Sequence, residues 1–529
     1  MFDIALYDST LRDGAQTEGV SFSVDDKLSI AMMLDSVGVD YVEGGFAISN
    51  EKDMAFFKTV AERKFRHARI TAFGSTRRAS LKVENDPGVA AMLAARTPAV
   101  AVVGKSWDLH VRDVLRASLD ANLAMIADTV RYLKAKGIEV VYDAEHFFDG
   151  YRNNLDHAMA TLRAAKDGGA DALVLCDTNG GSITSEVTAI TAAVVKEFGG
   201  CIGFHGHNDT GMAVANTVAA VQAGAVHVQG TVNGMGERAG NADLCQVAPN
   251  LQLKLGRRCM SDENLRRLRE LSLYVSEMAN MPLDDTRPYV GRHAFAHKGG
   301  LHVDAVQKNK TTYEHIAPES VGNERRLLLS ELSGKATVLA KMEEYDLTHD
   351  PEIMKKALAE IQRLENEGYQ FESAEGSFAL LVKRLLGRER KFFELMGFRV
   401  IVEKRGHNEQ PLTEATVKIR VPAGEEQLSA SEGDGPVNAL DGALRGALNR
   451  FYPGLNDMHL VDYKVRVINP AAGTAARVRV VIESRDMNDV WGTVGVSENL
   501  IEASWQALVD SIVYKLLKDE DRAGDAGVA

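Results

Sequence analysis

A chain of 529 residues exceeds one ordinary domain and leads us to expect two or three. Its 45% hydrophobic and 26% charged residues allow a large core that needs no covalent staples. Acidic residues outnumber basic ones by 74 to 61, a net charge of -13, which argues against a sequence-independent nucleic-acid binder but leaves room for a local basic cluster around an anionic ligand.

The N-terminus lacks a basic stretch followed by an apolar one, and no apolar run reaches the length of a membrane span. The expectation is a cytoplasmic protein with no membrane and no nucleic-acid partner. Four cysteines, Cys176, Cys201, Cys245 and Cys259, form no CxxC pair, so buried free thiols are expected in place of a disulfide framework or a zinc cage.

Along the first 250 or so residues one rhythm repeats. Short β-prone runs fall at Ile4–Tyr7, Val39–Glu43, Arg69–Phe73, Val100–Val103, Glu139–Tyr142, Ala172–Leu175, Cys201–Phe204 and Val226–Gly230. Helix-patterned stretches lie between them, among them Asp25–Val37, Val111–Lys136, Leu155–Gly168 and Thr184–Phe198. Strands alternating with helices imply βαβ units and a parallel sheet. Eight units point to a closed (β/α)8 TIM barrel over 1–264, with an open doubly wound sheet as the alternative. Residues 265–391 read as helical linker subdomains. Residues 392–529 read as a C-terminal α+β domain, with β-rich blocks Phe398–Val421 and His459–Trp491 followed by helices Val437–Arg450 and Leu500–Leu517.

A barrel carries its chemistry just after the strands. Polar residues do gather there, as in Asp143-Ala-Glu-His146 and His205-Gly-His-Asn-Asp209. On a strand, His205 and His207 point the same way and can grip one metal ion, though two polar residues near a strand end are the plainer reading. Asp13, after the first strand, is the natural third ligand, and Asn241 can add a carbonyl oxygen. Two imidazoles and a carboxylate leave positions open for substrate or water. Arg12 beside such a cation calls for something anionic between them, such as a developing enolate or alkoxide. Glu43 and Glu145 end strands at the mouth and can serve as acid or base, or orient a neighbour. Gly234-Met-Gly-Glu-Arg-Ala-Gly240 lacks dinucleotide spacing, and Gly104-Lys-Ser lacks the upstream glycine of a phosphate loop.

Asp8-Ser-Thr-Leu-Arg-Asp-Gly-Ala-Gln16, His205-Gly-His-Asn-Asp209 and Asn233-Gly-Met-Gly-Glu-Arg-Ala-Gly-Asn241 together resemble the 2-isopropylmalate, homocitrate and citramalate synthase family. Ser9 stands where the family usually has threonine. Val103-Gly-Lys-Ser-Trp-Asp108 and Tyr142-Asp-Ala-Glu-His-Phe-Phe-Asp-Gly150 bring the likeness nearest to its longer bacterial citramalate synthases. The resemblance implies an acyltransferase that condenses acetyl-CoA with pyruvate, a step feeding isoleucine synthesis. It implies a divalent metal ion (Mg2+, Mn2+, Co2+ or Zn2+) on Asp13, His205 and His207, with Asn241 a further candidate. By the same likeness, Arg12 stabilises the oxyanion, Glu145 is the catalytic glutamate and Thr178 lies near the 2-oxo acid. His302 and Tyr313 match a histidine and a tyrosine of a helical subdomain that serves the partner subunit's barrel, which implies a homodimer. The C-terminal domain is by resemblance regulatory, with isoleucine a possible ligand. The rivals are another 2-oxo acid as acceptor, as in 2-isopropylmalate or homocitrate synthase, and a metal-dependent aldolase or acyl-CoA lyase on a related barrel. A third is an amino-acid sensor with a decayed barrel.

Overall fold

In the computed structural model, eight parallel strands pair in sequence order and the first closes onto the eighth: β1 (Ala5–Asp8), β2 (Tyr41–Phe46), β3 (Arg69–Ser75), β4 (Ala99–Lys105), β5 (Glu139–Glu145), β6 (Ala172–Asp177), β7 (Ile202–Gly206) and β8 (His227–Gly230). The closed barrel is thus the architecture, and the open-sheet alternative falls. The structure describes residues 3–48, 51–298, 300–327, 351–404, 406–407, 410–422, 424–469, 473, 475–487 and 489–526. Among the described residues no helix is long and apolar enough to cross a membrane.

Alternation along each strand sorts side chains into two layers. Val100 and Val102 of β4, Val140 and Tyr142 of β5, and Leu173 and Leu175 of β6 face the surrounding helices. Their neighbours Ala99, Ala101, Val141, Val174 and Cys176 form a separate cluster inside the barrel with Tyr7 and Tyr41. Continued toward the C-terminal ends, the inward parity reaches Glu43, Asp143, Glu145, His205 and Gln229. Polar residues that read from sequence as strand ends therefore belong to the strands, which run up to three residues further than expected.

Two helices match their sequence-derived limits, α6 (Leu155–Gly168) and α7 (Thr184–Phe198), and α1 (Val24–Ser36) differs by one residue at each end. The stretch Val111–Lys136 is not one helix. A five-residue π turn, His110–Val114, precedes α4 (Leu119–Ala135), which starts afresh where the Ser118 side chain accepts the Ala121 N–H. Arg116, with φ 54°, makes the break between them.

Two compact units divide the chain, Met1–Phe295 with Glu314–Arg325, and Ala296–Tyr313 with Arg326–Ala529. In the second, helices span Gly300–Lys308, Pro351–Asn366 and Glu375–Leu385, ahead of a βββα arrangement that occurs twice. Antiparallel strands Glu394–Glu403, Leu412–Arg420 and Glu426–Gly433 precede helix Pro436–Leu448; His459–Val467, Val478–Arg485 and Val490–Ser497 precede Leu500–Ala526. Ala415, Val417 and Ile419 on one strand face meet Leu440, Ala443, Leu444 and Leu448 on the helix. The residues of the expected helical linker between 328 and 350 lie outside the described residues.

One buried ion pair shapes the barrel near its mouth. Register slips between Glu43 and Gly45, and there Lys27 of α1 donates to the Gly44 carbonyl at 3.0 Å and to Asp53 Oδ1 at 2.5 Å. Asp53, in α2 (Glu51–Ala61), also accepts the Phe46 N–H at 3.1 Å. Removing one partner of a buried pair leaves the other uncompensated. Lys27→Met should lower the unfolding free energy by about 3–5 kcal/mol in urea titration; an unchanged midpoint would contradict this role.

Candidate active site

The turn after β1 carries Arg12 and Asp13 into the barrel mouth. Arg12 Nε donates to Glu43 Oε2 at 2.9 Å, and its Nη1 lies 3.4 Å from Asp13 Oδ2. The guanidinium also lies over the Phe73 ring, 4.0 Å from its centroid. Burial alone would lower the Arg12 pKa, but Glu43 and Asp13 outweigh it and push it up. Glu43 is fully buried, and that burial raises its pKa despite Arg12. Of the two roles open to Glu43, this contact supports the orienting one.

Asp13, His205 and His207 converge, their ligand-type atoms all within 4.8 Å of one another. The Nε2 atoms of His205 and His207 lie 3.5 and 3.9 Å from Asp13 Oδ2. Among the described residues this is the one cluster of three such side chains able to hold a metal ion. The three also have the protonation states a cation needs. Burial, then the neighbouring His207, pushes His205 down to about 3, and burial lowers His207 too. For Asp13, burial acts upward, but Arg12 and the two histidines outweigh it and hold the carboxyl below its usual value.

Asn241 is delivered by a tight loop after β8. Gly236 (φ 156°) and Gly240 (φ 86°) leave no room for a side chain: a Cβ would fall 2.1 Å from Asn241 Nδ2 and 2.0 Å from the Gly234 carbonyl oxygen, respectively. The glycines that resembled a dinucleotide motif thus serve this loop. Asn241 pairs with His207 across an isolated bridge, and its Nδ2 donates to the Met235 carbonyl at 3.1 Å. Its Oδ1 is buried without a protein partner. Two neutral imidazoles, an ionised carboxylate and this carbonyl oxygen fit a divalent cation.

The other expected residues make contacts of their own. Glu145 ends β5 in an ion pair with Lys105, the last residue of β4. Thr178 follows β6; its Oγ1 accepts the His146 N–H at 2.9 Å and its carbonyl accepts from Arg238 at 2.8 Å. The Thr178 hydroxyl proton thus stays available to donate. His302 and Tyr313, in the second unit, stack with ring centroids 4.2 Å apart.

Sequence reasoning missed several partners. Lys105 falls within the failed phosphate-loop match, and its proximity to Glu145 follows only from the pairing of β4 with β5. Gln229, across from His205 in the register of β7 and β8, donates to Asp143 Oδ1 at 2.9 Å. Burial, then Glu43, pushes Asp143 up to about 7. Inward strand parity was the signal that could have found both Asp143 and Gln229.

Comparison with known proteins agrees with this architecture. The HMGL-like family matches residues 3–275, a homocitrate synthase post-HMGL domain 289–369, and the LeuA allosteric (dimerisation) domain 372–516. An (R)-citramalate synthase of Aquifex aeolicus is 53% identical over 521 residues, covering 98% of both chains, and one of Geobacter sulfurreducens is 52% identical over 98% of this chain and 99% of its own. A probable 2-isopropylmalate synthase of Methanopyrus kandleri stands at 33% identity over 96% of this chain and 97% of its own. With its closed barrel, its HMGL-like half and these relatives along nearly its whole length, the chain belongs to the (R)-citramalate synthase family.

Proposed function

We propose that this chain is an acyltransferase that condenses acetyl-CoA with pyruvate and hydrolyses the thioester, giving (R)-citramalate and CoA. The observation that carries the chemistry is the convergence of Asp13, His205 and His207 beside Arg12 at the barrel mouth. The choice of pyruvate rests on the family. A divalent ion held by Asp13, His205 and His207, with Asn241 Oδ1 as a further donor, would supply Lewis acidity to the 2-oxo group; Mg2+, Mn2+, Co2+ and Zn2+ all suit this donor set.

The chain's own groups divide the remaining work. Arg12, fixed by Glu43, holds the oxygen on which negative charge grows, with its donors already oriented. Thr178 donates its hydroxyl proton to the 2-oxo acid. Glu145, held by Lys105, moves protons, while His302, stacked on Tyr313, takes the proton from the acetyl methyl group. In this reading residues 1–264 are catalytic, 265–391 link, and 392–529 regulate. The match to a LeuA allosteric (dimerisation) domain supports a homodimer and feedback by isoleucine, the end product of the pathway. The expected location is the cytoplasm.

Thiol release from acetyl-CoA, with pyruvate, 2-oxoisovalerate and 2-oxoglutarate compared at equal concentrations and Mg2+ or Mn2+ present, tests the assignment. Pyruvate should dominate; dominance of 2-oxoisovalerate would keep the chemistry and overturn the substrate. Arg12→Ala should lower kcat by roughly 10²–10³-fold, as loss of an oxyanion donor does, and an unchanged kcat would remove its role. His207→Ala should weaken Mn2+ binding by calorimetry at least about tenfold, ligand loss being costlier than loss of a supporting partner; unaltered affinity would place the ion elsewhere.

A further inference from the structure

The corner between β4, β5 and β6 holds a second set of titratable side chains. His146 follows Glu145 and has φ 54° and ψ 36°, a left-handed conformation uncommon for a residue with a Cβ. Its N–H is tied to Thr178, and its Nδ1 lies 3.2 Å from Asp149 Oδ2. Asp149 also accepts from Arg152 at 2.7 Å and from Asn179 at 2.9 Å. These contacts, against its burial, hold the Asp149 carboxyl below its usual value. An ionised Asp149 accepts only, so His146 carries its proton on Nδ1 and presents the Nε2 lone pair.

A second imidazole lies against the first. His110, in the π turn after β4, has its ring 4.3 Å from that of His146 and is stacked on Trp107, whose ring lies 5.7 Å from that of His146. Its Nδ1 is buried without a partner. The short helix carrying Asp149 (Phe147–Asn153) comes this close because residue 150 is glycine: a Cβ there would stand 2.4 Å from the Ser106 carbonyl oxygen. A π turn and a left-handed histidine, both unusual backbone features, bring the two rings together.

The overall reaction releases a proton that such a group can carry. A thioester, a 2-oxo carboxylate and water give a dicarboxylate, a thiol and one proton. In the hydrolytic half, the water oxygen bonds to the acyl carbon, the C–S bond breaks, and the thiolate takes one of the water's protons. The new carboxylic acid then ionises, so one proton must reach solvent in every turnover.

We propose that His146, positioned by Asp149 and backed by His110, takes this proton from Glu145 onto Nε2 and passes it to solvent. The inference rests on the proposed condensation and on the role given there to Glu145. His110 lies near enough to Lys105, Glu145 and Asp149, as well as to His146, to sense their charges, and Arg152 pairs with Asp149 on the short helix.

The test is chemical rescue in the metal-loaded, full-length enzyme, assayed by thiol release in weak buffer with saturating substrates. His146→Asn suits the left-handed backbone, and Asp149→Asn keeps the shape while removing the charge. Both should lower kcat by about 10²-fold with the pyruvate KM unchanged, as loss of a proton-transfer group does. Added imidazole should restore kcat saturably in both variants and leave the wild type unaffected. Wild-type kcat in the variants, or a loss that imidazole does not touch in folded protein, overturns the inference while the function stands. If His146→Asn fails to fold, Asp149→Asn decides by the same criterion. Silence of the wild type with pyruvate overturns the proposed function and this inference with it.

Discussion

Arg12 lies between two buried carboxylates, 2.9 Å from Glu43 and 3.4 Å from Asp13. One guanidinium cannot neutralise both, and the adjoining imidazoles of His205 and His207 are held neutral by burial. With both carboxylates ionised the pocket would carry negative charge in excess, away from water, where an unbalanced charge is costly. A divalent cation held by Asp13, His205 and His207 would relieve that imbalance and favour an anionic ligand beside Arg12.

The rest of the barrel exists, in physical terms, to hold that arrangement still. Inward parity on β2 and β7 places Glu43 and His205, while the Lys27–Asp53 pair fixes the irregularity just past Glu43. The glycine loop after β8 turns Asn241 toward His207. Each of these devices is a backbone constraint backed by a buried polar contact. A site built on strand ends and locked loops keeps the precision that oxyanion stabilisation demands.

Much of this was legible in the sequence because it depends on spacing along the chain. Eight β-prone runs, each far enough from the next for a helix, indicated a closed barrel, and the His205–His207 alternation pointed to one metal. Partners that meet only across strands were not legible. Lys105 and Glu145 are 40 residues apart, and nothing local tells either that the other is its counter-ion. Strand Glu426–Gly433 is polar and half-exposed, so it drew no β signal of its own; its ladder with Leu412–Arg420 makes it a strand. The break at Arg116 was hidden by a helix-like composition on both sides.

The most direct test of the account is to follow the fate of the acetyl carbon. With [2-13C]acetyl-CoA, pyruvate and Mn2+ removed before NMR, the account predicts label in the methylene of (R)-citramalate, in a one-to-one ratio with CoA, and none without a divalent ion. Label recovered only as acetate would show a thioesterase, and the claim that this barrel joins carbon to carbon would fail.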